Sequence, residues 1–319
     1  MRTLVLGGTG WLGRAIVRDL VGAGADVTCV ARGESGDVPE GARLVRVDRR
    51  AAAAYESVRG EWDEVIELSH EPELVDPALG ALADGAAHWT LVSTVSVYAQ
   101  NDEPGADESA SLVEPADLTA YADAKVAAER SSTARLGSRL LIGRPGLIVG
   151  PGDPSDRFGY WPARLARSGP ALAPTTAGRF VQVIDVADLA AWVGQAGRAG
   201  HTGTVNAVGD VFSMSDFFLS VGEVTGYDGD LVAVEDQALL AQDVRYWAGP
   251  RSLPLWLPLS DAAFAQRSAQ AFRNTGGRPR PLVATVADVL TDEHSRGLDR
   301  PRRSGLTASD ERTVLLSVR

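Results

Sequence analysis

The sequence is short of cysteine, of lysine and of long apolar runs. Cys29 is its one cysteine, which excludes an internal disulfide framework. The four histidines, His70, His88, His201 and His294, are scattered, none with metal-ligand spacing to another His or Cys, so no metal site is expected. Nowhere do roughly 18 apolar residues run uninterrupted, and no transmembrane helix is expected. The N-terminal apolar run passes into glycines at Gly7, too soon for a signal sequence. A soluble, cytoplasmic protein is the resulting expectation. Positive charge is also scarce, with 31 basic against 42 acidic residues and a net charge of −11. Such a surface repels phosphate backbones and anionic lipid, so neither nucleic acid nor membrane is expected as a partner. Among the 31 basic residues, Lys125 is the single lysine.

What is present is enough for a large core: 319 residues, 45% of them apolar. Over residues 1–150, short β-type runs at 3–6, 26–31, 43–47, 64–68, 89–93 and 139–143 alternate with amphipathic stretches such as 12–23, 76–86 and 121–136. Strands alternating with helices of that length predict βαβ crossovers, hence an α/β fold with a doubly wound parallel sheet. One more return is expected through 181–196 and 204–208. The segments 151–179 and 211–319 then form a smaller mixed α/β substrate-binding portion, with a helix over 278–290 and a short closing helix over 307–318. Polar stretches at 101–117 and 292–304 read as disordered or draped over the surface.

After the first strand comes Gly7-Gly8-Thr9-Gly10-Trp11-Leu12-Gly13, opening directly into a helix. Gly7 or Gly8 permits the tight turn, Gly10 lets backbone approach a pyrophosphate, and Gly13 lets the helix pack close on the sheet. The helix N-terminus offers free N–H groups to phosphates. The second strand ends in Ala31-Arg32-Gly33 with no acid at its tip. An acid there would bond an adenosine ribose, whereas an arginine accommodates a 2′-phosphate; NADP(H) is therefore favoured over NAD(H). Glu34 and Asp37 lie close enough in sequence to fold back toward a ribose. After the third strand, Asp48 places a carboxylate where an adenine amino group would be met, with Arg49 beside it.

Tyr121-Ala122-Asp123-Ala124-Lys125 puts a phenol and an ammonium four residues apart, on one face of a helix. A fixed positive charge stabilises a phenolate, which tunes the phenol for proton transfer. Lysine suits this better than arginine, being a compact charge with three rotatable donors. Upstream, the strand Trp89-Thr90-Leu91-Val92 runs into Ser93, Thr94 and Ser96, hydroxyls at the edge where ligands of such sheets bind. Any of the three is placed to hold a substrate oxygen.

These motifs, with the stretches Arg144–Asp153 (RPGLIVGPGD) and Arg179–Ala190 (RFVQVIDVADLA), resemble the extended short-chain dehydrogenase/reductases, the NAD-dependent epimerase/dehydratase family. The resemblance covers roughly the first 210 residues and implies a Rossmann fold. It implies Tyr121 as general acid/base, Lys125 as the residue that binds the nicotinamide ribose and lowers the phenol's pKa, and Thr94 as the residue that orients substrate. The implied cofactor set is Gly7, Gly10, Trp11, Leu12, Gly13, Arg32, Asp48, Arg49, Leu68 and Lys125. A homodimer through the Tyr121 helix is common in the family, and the alanines at 122, 124, 127 and 128 would permit close packing.

The substrate half is less informative. Arg157, Tyr160 and Trp161, with Ser93 and Ser96, are the candidate substrate-binding residues. Aromatics stack on flat or apolar substrates, and Arg157 or Arg164 is suited to clamp an anion; burial of the aromatics in the core is the competing reading. Arg179 lies one residue out of register from a phosphate-binding arginine of nucleotide-sugar members. A second resemblance, carried by GGTGWLG, Ala31-Arg32-Gly33, Val47–Arg50 and Trp62–Glu67, is to a group that includes plastid RNA-binding relatives and bacterial reductase-like proteins. The expected function is an NADPH-dependent reductase of a carbonyl or imine on a small molecule. Nucleotide-sugar epimerase or dehydratase is the alternative, and a non-catalytic RNA-binding or sensor protein is the third reading.

Overall fold

A computed structural model describes residues 1–317. The N-terminal half runs β1 (Arg2–Leu6), α1 (Trp11–Gly22), β2 (Asp26–Ala31), β3 (Arg43–Arg46), β4 (Trp62–Glu67), α2 (Pro72–Leu82), β5 (Ala86–Val92), α3 (Tyr121–Leu136) and β6 (Leu140–Pro145). It continues with β7 (Leu147–Val149), α4 (Arg157–Leu165), β8 (Ala171–Pro174), β9 (Phe180–Asp185), α5 (Val186–Ala199) and β10 (Gly203–Ala207). The remainder is β11 (Val211–Ser213), α6 (Met214–Thr225), β12 (Leu231–Val234), α7 (Asp236–Ala241), β13 (Arg245–Trp247), β14 (Ser252–Pro254), α8 (Gln270–Asn274), α9 (Leu282–Arg296) and α10 (Ala308–Ser317).

Seven strands form one parallel sheet in the order β10-β6-β5-β4-β1-β2-β3. The order reverses beside β1, the point at which doubly wound sheets open a crevice for ligands. Strands such as β1 and β2 are almost wholly buried, as parallel strands covered on both faces must be. One face packs Trp89, Leu91, Leu79 and Leu136 into a core, and the other packs Ile16, Val17, Leu20 and Trp192. A three-stranded sheet, β11-β9-β7, and two-stranded pairs β12-β8 and β13-β14 make the smaller mixed portion. The expected return is therefore split: β9 lies in the small sheet, while α5 packs on α1 and β10 adds the seventh strand of the large one.

Local sequence explains several boundaries. The second helix starts at Pro72, earlier than the expected 76, because proline's fixed φ suits a first helical turn. The fifth strand starts at Ala86 rather than 89; its buried His88 interrupts the apolar run that marks it. Gly137, at φ 57°, stops α3, and Gly200 and Gly226, both left-handed, stop α5 and α6.

The two stretches expected to be draped or disordered are pinned instead. Glu108 accepts the Asn206 N–H at 2.7 Å, and the Gly105 N–H donates to the Gln266 carbonyl at 2.8 Å. In the second stretch Glu293, 2% exposed, takes Arg300 and Arg302 as partners, and Asp156 also bonds Arg300. Polar composition conceals this because paired charges can be buried that single ones cannot. Among the described residues no helix is long and apolar enough to cross a membrane.

Candidate active site

The glycine turn leaves β1 at Gly7, whose φ of 105° a side chain rarely adopts. A Cβ on Gly13 would lie 2.3 Å from the Gly7 carbonyl oxygen, so only glycine lets α1 sit so close to the turn. A Cβ on Gly10 would meet no protein atom closer than 3.7 Å, which leaves open space beside the backbone. No side chain caps α1, and its first N–H groups stay available. These features fit the pyrophosphate of a dinucleotide.

On one side of the turn a cavity of about 260 Å³ is lined by Gly7, Gly10, Arg32, Glu34, Asp48 and Arg49, at the ends of β1, β2 and β3. Arg32 is exposed and pairs with Glu34 at 3.0 Å. Asp48 Oδ1 accepts the Arg50 N–H at 3.0 Å. Arg49 corrects the expectation drawn from sequence. Its guanidinium is buried in an ion pair with Glu67 and donates to Tyr55 at 2.9 Å, Ser69 at 2.8 Å and the Leu74 carbonyl at 3.0 Å. No donor is left for an adenine, so Arg49 braces the end of β4 instead.

On the other side lies a cavity of about 370 Å³, lined by Trp11, Leu12, Leu68, Ser93, Thr94, Ser96, Tyr121, Lys125 and Arg157. Lys125 is 3% exposed and donates to the Val92 carbonyl at 2.7 Å and toward the Ser69 carbonyl at 3.5 Å. Its Nζ lies 5.9 Å from the centre of the Tyr121 ring. Burial lowers its pKa to about 8, against the partial support of Glu67, Glu71 and Glu129. Tyr121, the first residue of α3, is half-exposed, and the His70 ring meets it edge-on at 5.0 Å. Desolvation raises the phenol's pKa, while the adjacent Thr94 hydroxyl and the charge of Arg157 pull it down. Thr94 Oγ1 also accepts the Ser96 N–H at 3.1 Å. Phenol, hydroxyl and ammonium thus border one cavity, an arrangement suited to delivering a proton to a bound oxygen.

Other candidates fall elsewhere. Ser93 lines the cavity, but its hydroxyl donates at 2.5 Å to Glu129, itself paired with Arg144. It is a strut beneath the site more than a contact for substrate. Tyr160 and Trp161, expected to bind substrate, are 2% and 0% exposed and belong to the core of the smaller portion. The Trp161 indole donates to the Pro254 carbonyl at 2.7 Å. Burying side chains of this size is worth roughly 1.5–3 kcal/mol each, which is ample reason for them to be there. Arg164 is paired with Glu311, and Arg179 with Asp236 and two backbone carbonyls, so neither is free to clamp an anion.

Trp247 and Phe264 line the cavity with no signal in the sequence pattern, and Asp153, which also lines it, closes the RPGLIVGPGD stretch but is not singled out there as a site residue. Asp153 is buried, accepts both the N–H and the hydroxyl of Ser155 at 2.8 Å, and has its pKa raised by desolvation. Trp247 holds a φ of 67°, in a segment where Asp243, Arg251 and Leu255 are also left-handed. Such residues cost about 1–3 kcal/mol each and persist where their surroundings over-determine them. Here the Trp247 ring meets Phe264 edge-on at 5.5 Å.

The model of the NAD dependent epimerase/dehydratase family matches residues 3–76 and 73–209, well over half of the chain. Comparison with curated proteins returned no match. Among solved structures, UDP-glucose 4-epimerase of Thermus thermophilus in complex with NAD is 19% identical, with a TM-score of 0.64 over 93% of this chain and 99% of that one. UDP-glucuronic acid 4-epimerase of Bacillus cereus in complex with NAD is 12% identical, with a TM-score of 0.67 over the same shares, 93% and 99%. UDP-glucose 4-epimerase of Thermotoga maritima with UDP-glucose is 17% identical, with a TM-score of 0.65 over 93% and 99%. At these identities the likeness is one of fold. With its glycine turn, its parallel sheet and the family match together, the chain belongs to the NAD dependent epimerase/dehydratase family.

Proposed function

We propose that the protein is an NADPH-dependent oxidoreductase that reduces a carbonyl or imine on a small molecule. The observation that carries this reading is the grouping of Tyr121, Thr94 and buried Lys125 around one cavity beside the glycine turn. When bound, the nicotinamide cofactor supplies a hydride. Tyr121 gives its proton to the substrate's oxygen or nitrogen as that hydride arrives, and the Thr94 hydroxyl holds the accepting atom. Lys125 offers its ammonium to the ribose hydroxyls and its charge to the phenol. Gly7, Gly10, Gly13 and the N-terminus of α1 receive the pyrophosphate, with Trp11, Leu12 and Leu68 around them. Arg32 would reach the 2′-phosphate on giving up Glu34, a weak exposed pair.

A nucleotide-sugar epimerase is the alternative, in keeping with the solved structures that share the fold, but two features of the site count against it. Arg179 is spent on Asp236 and backbone, and a cavity of about 370 Å³ is at the small end for ligand sites. A binding-only protein would have no use for the three catalytic groups together, and the net charge of −11 disfavours RNA. Cofactor stoichiometry separates the enzymes. With a carbonyl panel and NADPH followed by absorbance, one NADPH should be consumed per product formed, and kcat/KM should be at least tenfold higher with NADPH than with NADH. Turnover without net NADPH consumption would point to the epimerase, and equal use of NADH would remove the role given to Arg32.

A further inference from the structure

Arg157 is a cation with no carboxylate in direct contact among the described residues. Of the five buried arginines, Arg49, Arg144, Arg164 and Arg179 each have a carboxylate partner, and Arg267 donates to the Gln100 carbonyl at 2.6 Å and to Asn101 Oδ1 at 2.8 Å. Arg157 has no carboxylate within ion-pair distance among the described residues. Its Nε donates to Ser155 Oγ at 3.1 Å, and its guanidinium carbon lies 5.2 Å from the centre of the Trp247 ring. The two terminal nitrogens have no protein partner among the described residues, and they belong to a side chain that borders the same cavity as Tyr121. Asp153, the nearby carboxylate, is engaged by both donors of Ser155. Partial burial lowers the pKa of Arg157 against the attraction of Asp153, and its charge is felt at the phenol. A half-buried guanidinium held by its inner edge, with its outer edge free, is suited to a bidentate anion.

We propose that the substrate is a small oxo acid, whose carboxylate is held by the outer edge of Arg157 while its carbonyl oxygen lies at Thr94 and Tyr121. The proposal rests on the oxidoreductase reading above. Trp247 and Phe264 wall the cavity and would pack against the body of the molecule. One free fork matches one negative charge, and the carboxylate of Asp153 beside it disfavours a dianionic phosphate. In the reaction, hydride from bound NADPH would add to the carbonyl carbon as the C=O π pair moves to oxygen, Tyr121 would protonate that oxygen to give the hydroxy acid, and the phenolate would recover its proton from water.

The test uses 2-oxo and 3-oxo acids, each paired with its methyl ester, with NADPH in excess. Wild-type protein should favour acid over ester by at least 100-fold in kcat/KM. Arg157→Met should lower the value for the acid at least 100-fold and for the ester at most tenfold, the smaller loss reflecting the charge removed from beside the phenol, with the NADPH dissociation constant within twofold. Arg157→Lys, which keeps charge but lacks the fork, should recover less than a tenth of the lost activity. Equal use of acid and ester by wild type, or equal loss of both in Arg157→Met, would overturn the proposal. Loss of NADPH affinity in that variant would place Arg157 on the cofactor and overturn it too. Should no carbonyl compound consume NADPH, the oxidoreductase reading fails separately, and calorimetry with the monoanion oxamate on the NADPH-loaded protein decides the anion site. Binding weakened at least 30-fold by Arg157→Met supports that site, and absence of binding to wild type overturns it.

Discussion

Lys125 in water would keep its proton to a pKa near 10.5, but its place beneath the cavity lowers that to about 8. The difference corresponds to about 3 kcal/mol of strain on the charged form. Between pH 8 and 10.5 the unfolded chain binds the proton more than the folded one does, so stability rises with pH in that window. Urea unfolding of cofactor-free wild type and Lys125→Met should show the gap between them moving by up to about 3 kcal/mol in favour of wild type from pH 7 to pH 10.5. A gap that does not move with pH would mean the ammonium is not desolvated. The single lysine of the sequence thus occupies a position whose chemistry distinguishes lysine from arginine: a compact ammonium that reaches two carbonyls from a narrow buried site. That role is legible in the sequence because the spacing to Tyr121 is local. The role of Arg49 is not, because its partner Glu67 comes from β4, and no pattern within the β3 loop announces it.

At the scale of elements, α3 runs over Tyr121–Leu136, the limits expected from its pattern. Its first residue faces the cavity half-exposed, and a turn later Lys125 is buried against the end of β5. The neighbouring pair β4 and β5 carries a second ionic feature. His88 on β5 bonds Glu64 on β4 through Nδ1 and meets the His201 carbonyl through Nε2 at 2.7 Å. Burial by itself would lower the imidazole's pKa, but the bond to Glu64, its charge and the His201 carbonyl outweigh it and raise the value. The folded state therefore holds this proton more tightly, and the associated stability is full below pH 6.5 and lost as pH rises through the folded pKa. Breaking such a buried pair costs about 3 kcal/mol. His88→Gln should be less stable than wild type by about that much at pH 6, with the gap narrowing by pH 8.5 in urea unfolding. A constant gap would show that His88 is neutral throughout. Helix α4 shows where pattern reading fails at this scale. Eight of its nine residues are buried, so no polar face distinguishes a core helix from a pocket wall, and Tyr160 and Trp161 belong to the core rather than the wall.

At the scale of the whole molecule, the cavity is closed by parts of the chain far apart in sequence. Its floor is the end of β5 and the start of α3, and its opposite wall includes Trp247 and Phe264. The floor is legible in the sequence because each motif is a local strand–turn–helix unit whose glycines and hydroxyls have stated physical jobs. The wall is not, because Trp247 is brought there by a left-handed backbone and by the packing of a separate core, neither of which has a short-range signature. The reduction proposed for this site depends above all on Tyr121 as the proton donor. The direct measurement is single-turnover reduction by NADPH-loaded Tyr121→Phe beside wild type, with the cofactor dissociation constant determined for both. Hydride transfer should slow at least 100-fold while the dissociation constant changes less than threefold, in line with the usual worth of a general acid. Transfer at the wild-type rate with cofactor fully bound would contradict that role.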